Sequence, residues 1–144
     1  MSAPVEFEEI KETFDLLDDW EERYRYVIEL GKGLPGLSEA ERTPETKVDG
    51  CVSQVWLVPH VSQDADGTER LHFEGDSDAH IVRGLIAVLR GLLSGKPVAE
   101  IREADPLAEM AALGLDAHLS PQRSNGLRAM VKRIKSIASA AQSA

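Results

Sequence analysis

The sequence predicts an α+β fold, in which helices pack against a small antiparallel sheet. Apolar residues recur at helical spacing in residues 4–17 and again in residues 81–93. Between these stretches, residues 52–61 are apolar and rich in β-branched side chains, and residues 69–75 alternate between apolar and polar, a pattern typical of strands. With 144 residues in total, the chain is expected to form a single domain over residues 1–144.

Two helices are predicted near the N-terminus. The first spans residues 4–17, where one face carries four apolar residues, Phe7, Ile10, Phe14 and Leu17. The second begins near Asp19, because Asp19 and Glu22 form a capping-box-like pair. Its end is predicted from two glycines and a proline, Gly31, Gly33 and Pro35. We expect the two helices to form an antiparallel hairpin.

A β-hairpin is predicted in the middle of the chain. Residues 34–47 lead into it as a loop, with one helical turn at Ser38–Arg42. The strands at 52–61 and 69–75 are joined by the turn Asp64–Gly67, in which Gly67 can take a positive φ. A short third strand is also compatible with the sequence around Thr46–Asp49.

A strongly apolar helix is predicted after the segment Gly75-Asp76-Ser77-Asp78. Asp76 or Ser77 is expected to cap its N-terminus, and its wide apolar face is expected to lie against the sheet. Residues 94–97 stop this helix, and residues 98–115 are predicted to hold one or two short helices.

The last helix is predicted to begin at Ser120 and Pro121, an N-cap followed by proline at the first helical position. Arg123 falls in its first turn, where a cation opposes the helix dipole, so either a salt bridge or a functional role would explain it. Five basic residues follow one another here without an acid: Arg123, Arg128, Lys132, Arg133 and Lys135. A solvated helix face and a docking surface both explain this run.

The composition limits the classes of function. The chain carries 16 Lys and Arg against 25 Asp and Glu, a net charge of −9, whereas a nucleic-acid partner requires a basic surface. No apolar stretch approaches the ~20 residues that span a membrane. The acidic N-terminal residues lack the basic and apolar regions of a secretion signal. We therefore expect a cytoplasmic protein without nucleic-acid or membrane partners.

Cys51 is the only cysteine of the chain. It can form neither an internal disulfide nor a site of several cysteines, so a functional role would be nucleophilic or sulfur-carrying. Asp49 and Gly50 form a turn signal ahead of it, and an apolar run follows. This pattern predicts a thiol presented at a bend. A buried core cysteine is the alternative interpretation.

Other chemistries find less support in the sequence. No two of the four histidines, at positions 60, 72, 80 and 118, have the close spacing typical of zinc ligands, and no metal site is predicted. A dithiol redox enzyme would need a second cysteine. A cysteine hydrolase needs a histidine near the thiol, which His60, His72 or His118 could supply. A cysteine-dependent hydrolase or transferase acting alone therefore stays open.

Three segments together resemble the SufE family of cysteine desulfuration proteins. They are residues 50–56, GCVSQVW; residues 75–79, GDSDA; and residues 118–127, HLSPQRSNGL. Residues 20–24, WEERY, and 28–31, IELG, also match. The resemblance follows the family's order and spacing over nearly the whole chain and is poorest in residues 98–117.

The resemblance implies a sulfur acceptor with a fold similar to the Fe–S scaffold proteins. Cys51 would take sulfur as a persulfide from a cysteine desulfurase, stimulate that enzyme, and pass the sulfur to an Fe–S cluster scaffold. The matching residues that would support the thiol or bind the partner are Gly50, Gln54, Asp76, Asp78 and Arg123. The chain itself would need no cofactor, since pyridoxal phosphate (PLP) belongs to the desulfurase, and it would be a monomer or weak homodimer. An adaptor that binds a desulfurase without carrying sulfur is a further alternative.

Overall fold

A computed structural model describes residues 5–50 and 53–142 of the chain. Six α-helices and three β-strands are present in these residues, with short 3-10 turns at Glu39–Glu41 and Asp116–His118. In chain order the elements are α1 (Phe7–Leu16), α2 (Trp20–Lys32), β1 (Val55–Gln63), β2 (Glu69–Ser77), α3 (His80–Leu93), β3 (Lys96–Pro97), α4 (Val98–Glu103), α5 (Pro106–Ala112) and α6 (Pro121–Gln142). The predicted α+β class is confirmed.

The sheet is antiparallel, with strand order β1-β2-β3. β1 and β2 form the predicted hairpin, which pairs Val55 with Ser77 at one end and Gln63 with Glu69 at the other. Gly67 has a φ of 89° in the connecting turn, a conformation that glycine adopts without strain. Leu71 and Phe73 are buried on β2, as the alternating pattern predicted.

The third strand of the sheet is not the one predicted. β3 adds two residues to the far edge of β2. The predicted strand around Thr46–Asp49 is a single bridge between Lys47 and Trp56. Two backbone hydrogen bonds flank that bridge: the Leu57 amide donates to the Thr46 carbonyl at 2.9 Å, and the Val48 amide to the Val55 carbonyl at 2.8 Å.

Helix α3 is central to the fold, since it packs against both β2 and α2. Gly84 of α3 and Gly31 of α2 meet where the helices cross: a Cβ atom at Gly84 would lie 2.2 Å from the Val27 carbonyl oxygen. Helix α2 ends with Gly33 at the C-cap position, as predicted, and Gly31 lies within its last turn. The predicted α1–α2 hairpin is not the main contact of α2. α1 meets α2 through Phe14, whose ring contacts Trp20 and Tyr26.

Two of the helix N-caps predicted from the sequence are present in the structure, and one is not. The Asp19 side chain accepts a hydrogen bond from the Glu22 amide, and Ser120 accepts one from the Arg123 amide, so both predicted caps are confirmed. The cap predicted for α3 is wrong. Because β2 continues through Ser77, α3 begins only at His80, with Ala79 at the N-cap position.

Helix α6 closes the domain on the side of α4 and α5. Its buried face carries the apolar residues Leu127, Met130, Val131, Ile134 and Ala138. Lys135 donates a hydrogen bond to the Arg102 carbonyl at the end of α4. No helix within residues 5–50 and 53–142 combines the length and the apolar character needed to cross a membrane.

Candidate functional site

The loop that carries Cys51 runs from Asp49 to Gln54 and is called the Cys51 loop. Cys51 and Val52 lie outside the described residues. The flanks of the loop are described, and the hydrogen bond from the Val48 amide to the Val55 carbonyl closes it at its base. The described flanks of the loop therefore meet at the start of β1.

Gly50 begins the bend just before Cys51. Its φ is 91°, in the left-handed region that other residues adopt at a cost of about 1 kcal/mol. A Cβ atom at this position would lie 3.5 Å from the Cβ of Ala129, an ordinary contact. The backbone conformation, and not lack of space, therefore explains the glycine.

Gln54 and Asp78 fix the other end of the Cys51 loop. The Gln54 amide donates to the Asp78 carboxylate at 3.1 Å, and the Asp78 amide donates to the Gln54 carbonyl at 3.3 Å. Asp78 lies just before α3, so this pair joins the loop to the start of that helix.

A cavity of about 280 Å³ lies beside the loop. Helices α3 and α6 and the start of β1 form its apolar wall, which is made by Val55, Val82, Leu85, Leu127 and Met130. Its polar lining comes from Ser53, Ser120, Gln122 and Arg123. The cavity thus joins an apolar wall to a single cationic side chain, next to the described end of the Cys51 loop.

Arg123 is exposed at the first turn of α6 and lines this cavity. Its guanidinium donates a hydrogen bond of 2.6 Å to the Tyr24 hydroxyl on α2. Within the described residues, no carboxylate lies within ion-pair distance of Arg123. The sequence left two explanations for Arg123 open, a salt bridge and a functional role. The described residues do not supply the salt bridge. Arg123 keeps donors available for an anion or a partner.

Asp76 does not line the cavity; it is buried and forms ion pairs with two less buried arginines. Its carboxylate contacts the Arg42 guanidinium at 2.6 Å and Arg83 at 3.0 Å, and it accepts the Ser77 amide at 2.8 Å. Arg42 also lies over the Trp56 ring. Asp76 therefore ties the loop before Thr46 and helix α3 to the sheet.

Asp76 is also the buried group on which we expect acid stability to depend. Burial alone would raise the pKa of Asp76, but the Ser77 amide and the two arginines outweigh it, so the pKa lies below its ordinary value. A carboxyl with a depressed pKa stabilises the fold at pH values above its unfolded pKa, and this contribution is lost as the pH falls through the folded pKa.

We expect Asp76→Asn to lower the free energy of unfolding at neutral pH by about 2 kcal/mol, because it leaves Arg42 and Arg83 without their acid. The difference from the wild type should shrink as the pH falls from the ordinary pKa of an aspartate through the lowered pKa of Asp76 in the fold. Urea unfolding across this range measures it. Asp15→Asn, at an exposed position of α1, is the charge-matched control. A difference that stays constant with pH would contradict the assignment.

The three histidines considered as a base for the thiol contact other residues of the described fold. His60 and His72 pair with each other across β1 and β2, and His118 stacks on Trp20 with ring centroids 3.8 Å apart. None of the three lines the cavity. In the part of the chain that the structure describes, no group of three or more His, Cys, Asp or Glu side chains could hold a metal ion.

The structure also adds residues that sequence reasoning missed. Tyr24 holds Arg123, although the sequence separates them by 99 positions. Ser53, Gln122 and Met130 line the cavity. Tyr24, Ser53 and Gln122 fall inside segments that carry the family resemblance, and that resemblance was the sequence signal for them.

The family comparison covers most of the chain. The family described as "SufE: Fe-S metabolism associated domain" matches residues 8–138. A SufE-like protein of Rhizobium etli is 59% identical over 128 residues, which cover 89% of this chain and 86% of that protein. A SufE-like protein of Rhizobium meliloti is 56% identical over 129 residues, covering 90% and 91% of the two chains.

Two more distant matches concern a named acceptor and a solved structure. The sulfur acceptor protein CsdE of Escherichia coli is 42% identical over 130 residues, which cover 90% of this chain and 86% of CsdE. The solution structure of a hypothetical protein from Thermus thermophilus matches with a TM-score of 0.70. It covers 99% of this chain and 100% of its own at 22% identity, which supports the fold alone.

Proposed function

Since the chain belongs to the SufE family, we propose that it is a sulfur acceptor that takes sulfur from a cysteine desulfurase onto Cys51. The Cys51 thiolate attacks the outer sulfur of a persulfide on the desulfurase. A new S–S bond forms on Cys51 as the old one breaks, and the desulfurase cysteine leaves as a thiolate. The transfer has no net oxidation or reduction, so it needs only one nucleophilic thiol in this chain.

The observation that carries this proposal is the frame around Cys51. A closed loop fixed at both ends lies beside a cavity with an apolar wall and one arginine. An arginine at such a rim suits an anionic sulfur or a carboxylate of the partner. None of the three candidate histidines lines this cavity, which favours an acceptor over a cysteine hydrolase that would need a base at the thiol.

The wider role is proposed from the same premise. The acceptor stimulates its desulfurase by removing sulfur, and it delivers that sulfur to an Fe–S cluster scaffold in the cytoplasm. PLP stays with the desulfurase, and no cofactor is required here. The chain acts as a monomer or weak homodimer.

Intact-protein mass spectrometry tests the proposal directly. The chain is incubated with a PLP-dependent cysteine desulfurase and L-cysteine, and its mass is measured before and after treatment with a reductant. A gain of sulfur that the reductant reverses is the expected result. If the desulfurase turns over cysteine and the chain gains no sulfur, the carrier function is excluded. The adaptor or the stand-alone enzyme then takes its place.

We expect Arg123→Ala to slow sulfur transfer about tenfold, equivalent to about 1.4 kcal/mol. The change removes the cation that lines the cavity. The hydrogen bond that it removes from the fold is the exposed one to Tyr24, so the free energy of unfolding should change by about 0.5 kcal/mol or less. Single-turnover transfer and urea unfolding measure the two effects.

Arg128→Ala is the matched control for Arg123→Ala. Arg128 is also exposed on α6, and its guanidinium bonds to Asn125 of the same helix. This control should transfer sulfur at the wild-type rate. An equal rate in Arg123→Ala would remove Arg123 from the site.

A further inference from the structure

We infer that Arg133 is a positioning residue for the thiol: it holds the chain that enters the Cys51 loop against helix α6. The entry segment is defined as residues 45–50. The inference rests on the proposed function, because it assigns Arg133 a part in presenting the acceptor cysteine. No sequence motif pointed to Arg133 beyond its membership of the basic run on α6.

The contacts of Arg133 are made to backbone, and not to side chains. One terminal nitrogen of its guanidinium donates to the Lys47 carbonyl at 3.3 Å, and the other donates to the Glu45 carbonyl. The planar fork of the guanidinium thus spans two alternate carbonyls of the entry segment. Because both acceptors are main-chain atoms, the bonds fix the path of the chain whatever side chains it carries.

The entry segment is held from two sides. On one side, the Thr46 carbonyl and the Val48 amide bond to β1, which closes the base of the Cys51 loop. On the other side lies α6, where a Cβ atom built at Gly50 would lie 3.5 Å from the Cβ of Ala129. Arg133 follows Ala129 by one helical turn, so both residues lie on the same face of α6.

The same helix also lines the cavity, through Arg123, Gly126 and Met130 among others. A bond between α6 and the entry segment therefore sets where the chain approaches Gly50 relative to the cavity wall. Asp78 fixes the far end of the loop through Gln54. Arg133 supplies the corresponding attachment at the near end. Asp78 and Arg133 together fix the positions at which the loop starts and ends.

This assignment also divides the basic run on α6. Arg133 bonds to the entry segment, and Lys135 bonds to the Arg102 carbonyl at the end of α4. Arg128 bonds within its own helix. The basic run is therefore not a uniform surface, because Arg133 and Lys135 attach neighbouring segments to α6. Among the described residues, Arg128 has no hydrogen bond to the entry segment and serves as the matched control.

The test compares Arg133→Ala and Arg133→Lys with Arg128→Ala in the full chain, with thermal unfolding to establish that each is folded. Hydrogen exchange of the Val48 amide should be about tenfold faster in Arg133→Ala, since two charge-assisted bonds are lost. Arg133→Lys should be intermediate, because a lysine ammonium cannot span both carbonyls with a fork. Arg128→Ala should match the wild type.

Sulfur transfer provides the functional measurement. In Arg133→Ala the maximal rate should fall about tenfold, while the desulfurase concentration that gives half-maximal transfer stays within about twofold, because the guanidinium is directed at the entry segment. A purely structural role would change the unfolding midpoint without this split. Unchanged exchange at Val48, or faster exchange with a wild-type maximal rate, would overturn the inference.

Failure of the proposed sulfur transfer can be distinguished from failure of the role inferred for Arg133. If the wild-type chain accepts no sulfur, the rate at which iodoacetamide alkylates Cys51 replaces transfer as the measure. Faster exchange at Val48 together with an altered alkylation rate in Arg133→Ala, and neither change in Arg128→Ala, would still support positioning. An unaltered alkylation rate would overturn it.

Discussion

Cys51→Ser is expected to gain no sulfur from an active desulfurase and to abolish sulfur transfer by this chain. The thiolate is the nucleophile in persulfide exchange, and a serine hydroxyl neither ionises to a comparable degree nor forms a stable persulfide. Cys51 is the only cysteine in the sequence, so no second thiol can take over. We expect a loss of at least about a thousandfold in transfer rate, the scale on which removing a covalent nucleophile acts.

Mass spectrometry after incubation with desulfurase and L-cysteine measures this loss. Ser62→Ala is the control, because Ser62 lies on β1 outside the cavity lining and the thiol is retained. This control should gain sulfur like the wild type. A reductant-reversible gain of sulfur on Cys51→Ser would contradict the acceptor assignment.

The same variant separates the acceptor from the adaptor. An adaptor stimulates its desulfurase through contact alone, so Cys51→Ser would retain full stimulation of L-cysteine turnover. An acceptor stimulates by removing sulfur, and the variant would lose that stimulation. The comparison requires binding to the desulfurase to be measured alongside, so that lost stimulation is not confused with lost docking.

Local signals in the sequence predicted the helix ends that depend on local bonds. Asp19 and Ser120 cap their helices as expected, because a cap bonds to amides two or three residues away. Asp76 and Ser77 also fit a cap by this criterion. They fail because Ser77 pairs with Val55 and Asp76 bonds to Arg42 and Arg83, and these long-range contacts extend β2.

The residues of the candidate site also fall into those that local sequence features predicted and those that depend on remote contacts. Gly50 was predicted from the turn that it forms and Arg123 from its misfit in the first turn of α6, both of which are local features. Tyr24 and Arg133 were missed, because they act across 99 and 86 positions of sequence respectively. Nothing in a single sequence encodes which remote backbone carbonyl or side chain an arginine will meet.

Some of the residues that carry the family resemblance serve helix packing and do not belong to the candidate site. Gly31 lies in the segment IELG, and Gly84 lies in the helix that follows GDSDA. In the fold these glycines meet where α2 crosses α3, and a Cβ atom at Gly31 would lie 2.6 Å from the Gly84 amide nitrogen. The resemblance at these two positions thus reflects a close approach of helices.

Gly84→Ala is expected to destabilise the fold strongly, although it adds only one methyl group. The new Cβ would lie 2.2 Å from the Val27 carbonyl oxygen and 2.7 Å from the Val27 carbonyl carbon. These are backbone atoms that cannot rotate away, so α2 and α3 must separate. We expect a loss of about 3 kcal/mol in the free energy of unfolding and a melting temperature lower by about 10 °C.

Urea and thermal unfolding of Gly84→Ala measure this cost, with Gly33→Ala as the control. Gly33 ends α2 with a φ of −80°, and a Cβ atom there would lie 3.4 Å from the Leu30 carbonyl oxygen, so its replacement should change stability by about 1 kcal/mol or less. Because α3 also supplies Val82 and Leu85 to the cavity, any folded Gly84→Ala protein should transfer sulfur more slowly. If Gly84→Ala is as stable as Gly33→Ala, the helices do not cross as closely as this structure has them, and the cavity wall built on α3 must be redrawn.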